Sequence, residues 1–216
     1  MPVGAAGDYY FQLEKKEADD FIREYSSYFN DEKLAPLEID VVIGGYRIAG
    51  EIDDIYHRYS LGCRPARIKT SDYLKAWLNH LLLNHIKDKD YPRTAIVIGE
   101  DAAFQFKELE NAEAILGDLI DLFVEGQTRP LKLFPKSSFA YAEALYKGGA
   151  HEEALRKANQ AWFGDNFGRA GEADEAENII CFGRSIPFDE DFMKNAARIF
   201  NVLFEHLEKL ESGEER

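Results

Sequence analysis

The chain has 216 residues, 45% hydrophobic and 13% aromatic, enough to bury one sizeable core. Its 26 Lys and Arg face 40 Asp and Glu, a formal net charge of −14. That surplus argues against non-specific binding of the whole chain to nucleic acid or an anionic membrane, so any DNA contact has to be local. Cys63 and Cys181 fit a reducing compartment better than a disulfide scaffold, and neither CxxC nor HExxH spacing occurs. No apolar run approaches the roughly eighteen residues of a membrane span, and the opening MPVGAAGDYY lacks the basic and apolar regions of a secretory signal. A soluble, cytoplasmic chain with no membrane partner is expected.

Residues 1–10, rich in Gly and Ala, are expected to be extended. Residues 17–30 read as an amphipathic helix turning Ala18, Phe21, Ile22, Tyr25, Tyr28 and Phe29 inward. Leu37, Ile39, Val41 and Ile43 then alternate with polar or small residues, the period of a half-buried strand. Gly44-Gly45 supplies a two-residue hairpin turn, and Tyr46, Ile48 and Ile52 carry the return strand to Asp53-Asp54. A turn at Gly62 and a third extended piece over residues 63–69 would complete a three-stranded meander. Ser71 as N-cap, with Asp72 in the first turn, opens a helix that buries Leu74, Trp77, Leu78, Leu81, Leu82 and His85.

Past the exposed loop KDKDYPR, residues 94–98 (TAIVI) form a strand that pairs with a weaker one at 104–106. Residues 111–125 form a helix with Ala112, Ile115, Leu116, Leu119, Ile120 and Phe123 on its apolar face, ended by Gly126. Two prolines keep TRPLKLFP extended. Ser137 or Ser138 caps a helix through Tyr146, and a second helix covers 151–162 after Gly148-Gly149. This pair has the Ala-Leu spacing of a tetratricopeptide-like hairpin, but such arrays need about three copies and no second one exists, so an ordinary helix pair is expected. The Gly-rich, acidic stretch 163–178 reads as a mobile loop, 179–182 as a last strand, and 188–210 as a closing helix with Phe192, Ala196, Ile199, Phe200, Val202, Leu203, His206, Leu207 and Leu210 inward. The fold class is α/β (α+β): a mixed sheet with flanking helices and a helical C-terminal half.

The chemistry worth testing sits at the meander. A metal-dependent nuclease needs two carboxylates on adjacent strands to hold Mg²⁺, and a lysine to orient water or offset phosphate charge. The pattern is an Asp on the second strand, then Asp/Glu-x-Lys on the third. Asp53 would be the first carboxylate and Lys69 the lysine, but the intervening acid position holds Arg67, which cannot ligate a cation. Glu51 shares the strand face of Asp53, Asp54 faces the other way, and Glu38 and Asp40 lie on the neighbouring strand, so a relocated carboxylate stays open. The plain alternative is a cross-strand ion pair between Asp53 and Arg67. Arg58, Arg64, Arg67, Lys69 and Lys75 form the densest basic group; Arg64, Arg67 and Lys69 are candidates for DNA contact, unless the group only balances Glu51, Asp53 and Asp54. The five histidines (His57, His80, His85, His151, His206) show no metal spacing, and His85 and His206 read as hydrogen-bonded core residues. No GxSxG, Walker A or GxGxxG occurs, so no cofactor and no resident metal is expected.

The runs ARIKTSDYLKAWLNHLLLN and LKLFPKSSFAYAEAL, the W-F-G at 162–164 and the long final helix resemble the C-terminal domain family of exodeoxyribonuclease V gamma subunits, the RecC proteins of RecBCD helicase–nucleases. PVGAAGD is similar to that region's LPxGxxG-like opening, and GGYRIAGEIDDI to its strand-and-glycine pattern. The likeness covers about residues 2–210 and is most specific at 77–81 and 134–138. It implies a single PD-(D/E)xK nuclease-like domain over 1–216 with its active site lost, Asp53, Arg67 and Lys69 being vestigial positions. It further implies a role in holding the helicase–nuclease beta subunit, and the alpha subunit with it, and in guiding split DNA strands at a fork. Full gamma subunits are several times longer, so the chain would be a C-terminal fragment or a stand-alone paralogue. ATP-dependent exonuclease and helicase activity would belong to the parent complex. An active nuclease with a relocated carboxylate and an acidic protein-interaction domain are the competing expectations.

Overall fold

The structure, a computed structural model, describes residues 4–164, 170–183 and 185–210. Helix α1 (Ala5–Glu24) and the single turn α2 (Ser26–Phe29) precede a hairpin of β1 (Leu37–Ile43) and β2 (Tyr46–Ile52). Then come β3 (Ser60–Cys63), α3 (Thr70–Ile86), β4 (Ala95–Ile98), β5 (Ala103–Phe106) and α4 (Ala112–Gly126). The remainder is α5 (Pro135–Tyr146), α6 (His151–Phe163), a 3₁₀ turn (Glu172–Asp174), α7 (Ala176–Phe182), α8 (Glu190–Glu205) and β6 (Leu207–Leu210).

The hairpin forms as its alternation requires. β1 and β2 pair antiparallel, Gly44 and Gly45 hold φ of 57° and 83°, and Ile39, Ile43 and Ile52 face inward. The expected meander does not form. Asp54 turns the chain with φ 55°, and β2 passes to β3 through a tight turn with an Ile55–Ser60 bridge, a Leu61 N–H to Asp54 carbonyl bond of 2.8 Å and a Tyr56 N–H to Tyr59 carbonyl bond of 2.8 Å. β3 runs from Ser60 to Cys63, earlier than expected, and pairs in parallel with β4 in a four-stranded sheet ordered β3-β4-β5-β6. A parallel pair needs a long crossover, and α3 provides it. Residues after Cys63 leave the sheet because Pro65 has no N–H to donate and the segment curls onto the turn after β4. There Glu100 N–H donates to Ala66 O at 3.0 Å, and Ile68 N–H to Asp101 Oδ1 at 3.2 Å. Gly99 permits this approach, since a Cβ there would stand 2.4 Å from Ile68 Cγ1.

The sheet is covered on both faces, so its strands are read by parity. Ala95 and Val97 face α3 and join Trp77, Leu81, Phe106, Leu116, Phe200 and Leu203. Ile96 and Ile98 face the other way and meet Phe21, Tyr25, Tyr59 and Leu61. Only the end of α1 takes part. The helix begins at Ala5, within the stretch expected to be extended, and Ala18 and Ile22 point to solvent rather than inward. Residues 8–20 are exposed on every side, including Tyr9, Tyr10, Phe11 and Leu13.

The second half is helical, as expected, around Phe134, Tyr141, Trp162, Phe192 and Ala196, with Ala154 and Ala158 letting α5 and α6 approach. Pro135, not a serine cap, opens α5, with Phe134 at the N-cap. Its free N–H groups are met from a distance: the buried Glu172 carboxylate accepts from Lys136 N–H (2.8 Å), Ser137 N–H (2.7 Å) and Ser137 Oγ (2.6 Å). Residues 165–169 of the expected mobile loop lie outside the described residues, and its later part forms this anchored turn and the start of α7. Residues 179–182 are thus helical, not a strand. The closing helix also stops early, at Glu205, and Leu207–Leu210 pairs antiparallel with β5. Leu207 reaches the α3 side and Leu210 the α1 side, as residues three apart on a strand must. Residues 211–216 lie outside the described residues. No helix among the described residues is long and apolar enough to cross a membrane.

Candidate functional site

A cleft of about 220 Å³ lies between the end of β2, β3 and the first turns of α3. Glu51, Asp53 and Asp54 form one wall, Ser60 to Arg64 the floor, and Asp72, Lys75, Ala76 and Asn79 the other wall. The spacing 72-75-76-79 is one helical stripe, which is why α3 presents all four together. On β3, Ser60 and Gly62 share a face, and Arg64 follows just past the strand's end. A Cβ at Gly62 would touch Ala76 Cβ and Val97 Cγ2 at 3.8 Å, so a side chain there would lie between strand and helix.

The charges are only partly matched. Arg64 Nε–H donates to the Arg67 carbonyl at 3.0 Å and stands 3.7 Å from Asp72, whose carboxylate also accepts Lys69 N–H at 2.8 Å. Asp54 pairs with Lys33 at 2.8 Å, and that hydrogen bond holds the Lys33 ammonium above its usual pKa. Glu51 and Lys75 have no ionic partner among the described residues, and Asp53 has none within 4 Å, although its charge joins that of Asp54 in favouring the Lys33 ammonium. Burial, and then the Asp54 charge, raises the pKa of the Cys63 thiol, keeping it protonated and a poor nucleophile.

Of the residues singled out from sequence, Asp53 and Arg64 line the cleft while Arg67 and Lys69 do not. Both are exposed beyond the end of β3, and Lys69 serves as the N-cap position of α3 in place of Ser71. The cross-strand Asp53–Arg67 ion pair does not form among the described residues, because Arg67 is not on a strand. Arg58 turns away to Asp31 (3.1 Å) and lies over the Tyr59 ring. Sequence reasoning missed Gly62, Asp72 and Asn79; the α3 stripe was the signal available for two of them. No group of three or more His, Cys, Asp or Glu among the described residues is placed to hold a metal ion.

Behind the cleft, α3 is fixed by a polar knot that the sequence placed elsewhere. His80, not His85, is the fully buried histidine, while Leu78 is exposed. His80 Nε2 meets the Lys107 carbonyl at 2.9 Å, which makes Nε2 the protonated nitrogen, and its ring stacks with Trp77 and Phe106. Asn84 donates to the His80 and Arg93 carbonyls at 2.8 and 2.9 Å and accepts Leu109 N–H at 3.1 Å. Burial pulls the His80 pKa down to about 4 against the pull of the Lys107 hydrogen bond. His85 is half-buried near Glu113 (3.9 Å), and His206 stacks on Trp77.

The RecC C-terminal domain family matches residues 1–146, a span that runs from before α1 to the end of α5 and contains the whole cleft. The chain is similar to RecBCD enzyme subunit RecC of Escherichia coli K12, 23% identical over 186 residues, covering 81% of this chain and 16% of that protein. It is also similar to RecBCD enzyme subunit RecC of Mycobacterium tuberculosis CDC 1551 / Oshkosh, 24% identical over 159 residues, covering 70% of this chain and 14% of that one. The chain therefore spans between 14% and 16% of the length of these relatives.

Proposed function

This chain belongs to the RecC C-terminal domain family, and on that premise we propose that it is a non-catalytic, nuclease-like domain of a RecBCD-type gamma subunit in double-strand-break repair and recombination. The observation that carries the reading is at β3: the strand positions that share the cleft face are Ser60 and Gly62, with Arg64 just past the strand's end, and none of them offers a carboxylate. A Mg²⁺ site needs oxygen ligands from both strands, and Arg64 would oppose the ion. The order helix, hairpin, third strand, crossover helix and parallel fourth strand supports a PD-(D/E)xK-type scaffold, read as one domain over 1–216.

Holding the beta subunit, and the alpha subunit with it, is the role this reading assigns. The exposed Tyr9, Tyr10 and Phe11 support it, being 66%, 50% and 54% exposed on the stretch of α1 that lies open among the described residues. Arg64, Arg67 and Lys69 are proposed to meet DNA near a fork, in a cytoplasmic complex whose ATP-driven exonuclease activity resides in other subunits. The second reading, a nuclease with a relocated carboxylate, is favoured by one feature: Glu51 and Asp53 both line the cleft without a cation.

The test is incubation of the purified chain with Mg²⁺ or Mn²⁺ and end-labelled duplex or single-stranded DNA. No cleavage is expected; cleavage abolished by Asp53→Ala would overturn the proposal in favour of the second reading. Binding to a labelled fork at low salt, weakened by Arg64→Ala or Arg67→Ala, checks the DNA role, and unchanged binding in both variants removes it.

A further inference from the structure

We infer that the cleft beside β3 is a socket for one basic side chain, arginine or lysine, carried on a segment of a partner protein. The inference rests on the reading above, in which the site holds rather than cuts. Asp54 and Asp72 already pair directly with Lys33 and Arg64, so the carboxylates without a direct partner are Glu51 and Asp53 on the β2 wall, Asp53 feeling Lys33 only at longer range. A second observation points to an occupant. Ser60 is 6% exposed and lines the floor, yet its hydroxyl has no hydrogen-bond partner among the described residues. That hydroxyl is open to the cleft, and its lone pairs are free to accept from an incoming N–H.

The shape fits the stem as well as the head. Leu61, Ala76 and Val97 give the floor an apolar strip along which methylenes can lie. The cleft, about 220 Å³, is several times the roughly 30 Å³ share of one water, so it takes a long side chain rather than a single ion. Arg64 and Lys75 border it, and their charges oppose a compact dication more strongly than a diffuse, weakly hydrated guanidinium. The same two acids disfavour a DNA phosphate at this spot.

The test uses the full chain, isotope-labelled, with amide shifts followed during titration of three probes: acetyl-Ala-Ala-Arg-Ala-Ala-amide, its glutamate counterpart, and magnesium chloride. The arginine peptide is expected to shift residues 51–54, 60–64 and 72–79, the glutamate peptide none of them. The Glu51→Gln/Asp53→Asn double variant, whose substitutions are exposed and nearly isosteric, is expected to bind the arginine peptide at least about fivefold more weakly. Shifts scattered over the acidic surface, an unchanged affinity in the double variant, or saturation of the same amides by magnesium without response to arginine would each overturn the inference. Failure here without DNA cleavage sinks the socket alone, whereas metal-dependent cleavage sinks the non-catalytic reading.

Discussion

Lowering the pH from 7 to 5.5 is expected to cost this fold about 1.2 kcal/mol, nearly all of it through His80. The ring is fully buried, donates to the Lys107 carbonyl and packs against both Trp77 and Phe106, so the folded state has no room to solvate an imidazolium. Its pKa falls from 6.5 to about 4. A base with a depressed pKa binds fewer protons folded than unfolded, so stability is full above 6.5 and is lost as pH falls toward 4. The whole gap amounts to about 3 kcal/mol, and the part between pH 7 and 5.5 comes from titration of the unfolded state alone. That window avoids Asp31, Asp40, Glu110 and Asp189, whose pKa values are held down by Arg58, Arg47, Lys87 with Arg93, and Lys132, and whose losses come at lower pH. Urea unfolding monitored by tryptophan fluorescence at pH 7.0, 6.25 and 5.5 measures the slope directly. His80→Leu should lose about 1–3 kcal/mol at pH 7, by stranding the Lys107 carbonyl, and should flatten the dependence across the window. If that variant does not fold, the wild-type His80 ring resonances decide instead and should show no titration above pH 5.5. A flat wild-type profile, an unchanged slope in His80→Leu, or a ring that titrates near 6.5 refutes the reasoning.

Glu172→Ala is expected to cost about 2–4 kcal/mol, since it leaves two α5 N–H groups and the Ser137 hydroxyl without their acceptor; the urea midpoint reads it, and a shift equivalent to less than about 0.5 kcal/mol would refute the long-range cap. Gly99→Ala should destabilise by about 1–3 kcal/mol because its Cβ would meet Ile68 Cγ1 at 2.4 Å, whereas Gly62→Ala, with its nearest contact at 3.7 Å, should stay within about 1 kcal/mol. Thermal unfolding of both variants in parallel checks the contrast, and equal effects would contradict it.

Local periodicity alone determined much of this protein: the Gly44-Gly45 hairpin, the pairing of β4 with β5, the span of α4 and the α5–α6 hairpin all depend on neighbours within a few residues, whereas Pro135, expected in an extended stretch, opens α5. Sequence also identified Asp53 and Arg64 as residues of interest, and both line the cleft. It carried the third strand on to Arg67 and Lys69 because the end of β3 is set by a turn more than thirty residues later, where Asp101 and Glu100 hold Ile68 and Ala66 off the sheet and Gly99 leaves room for them. Leu207 to Leu210 reads equally well as a helix stripe or a strand, and only the free edge of β5, about a hundred residues earlier in the chain, makes it β6. The burial of His80 rather than His85 likewise needed the carbonyl of Lys107 to be in place. Contacts near in sequence leave a period that can be read, whereas contacts that close long loops leave none, and the cleft is built from the second kind.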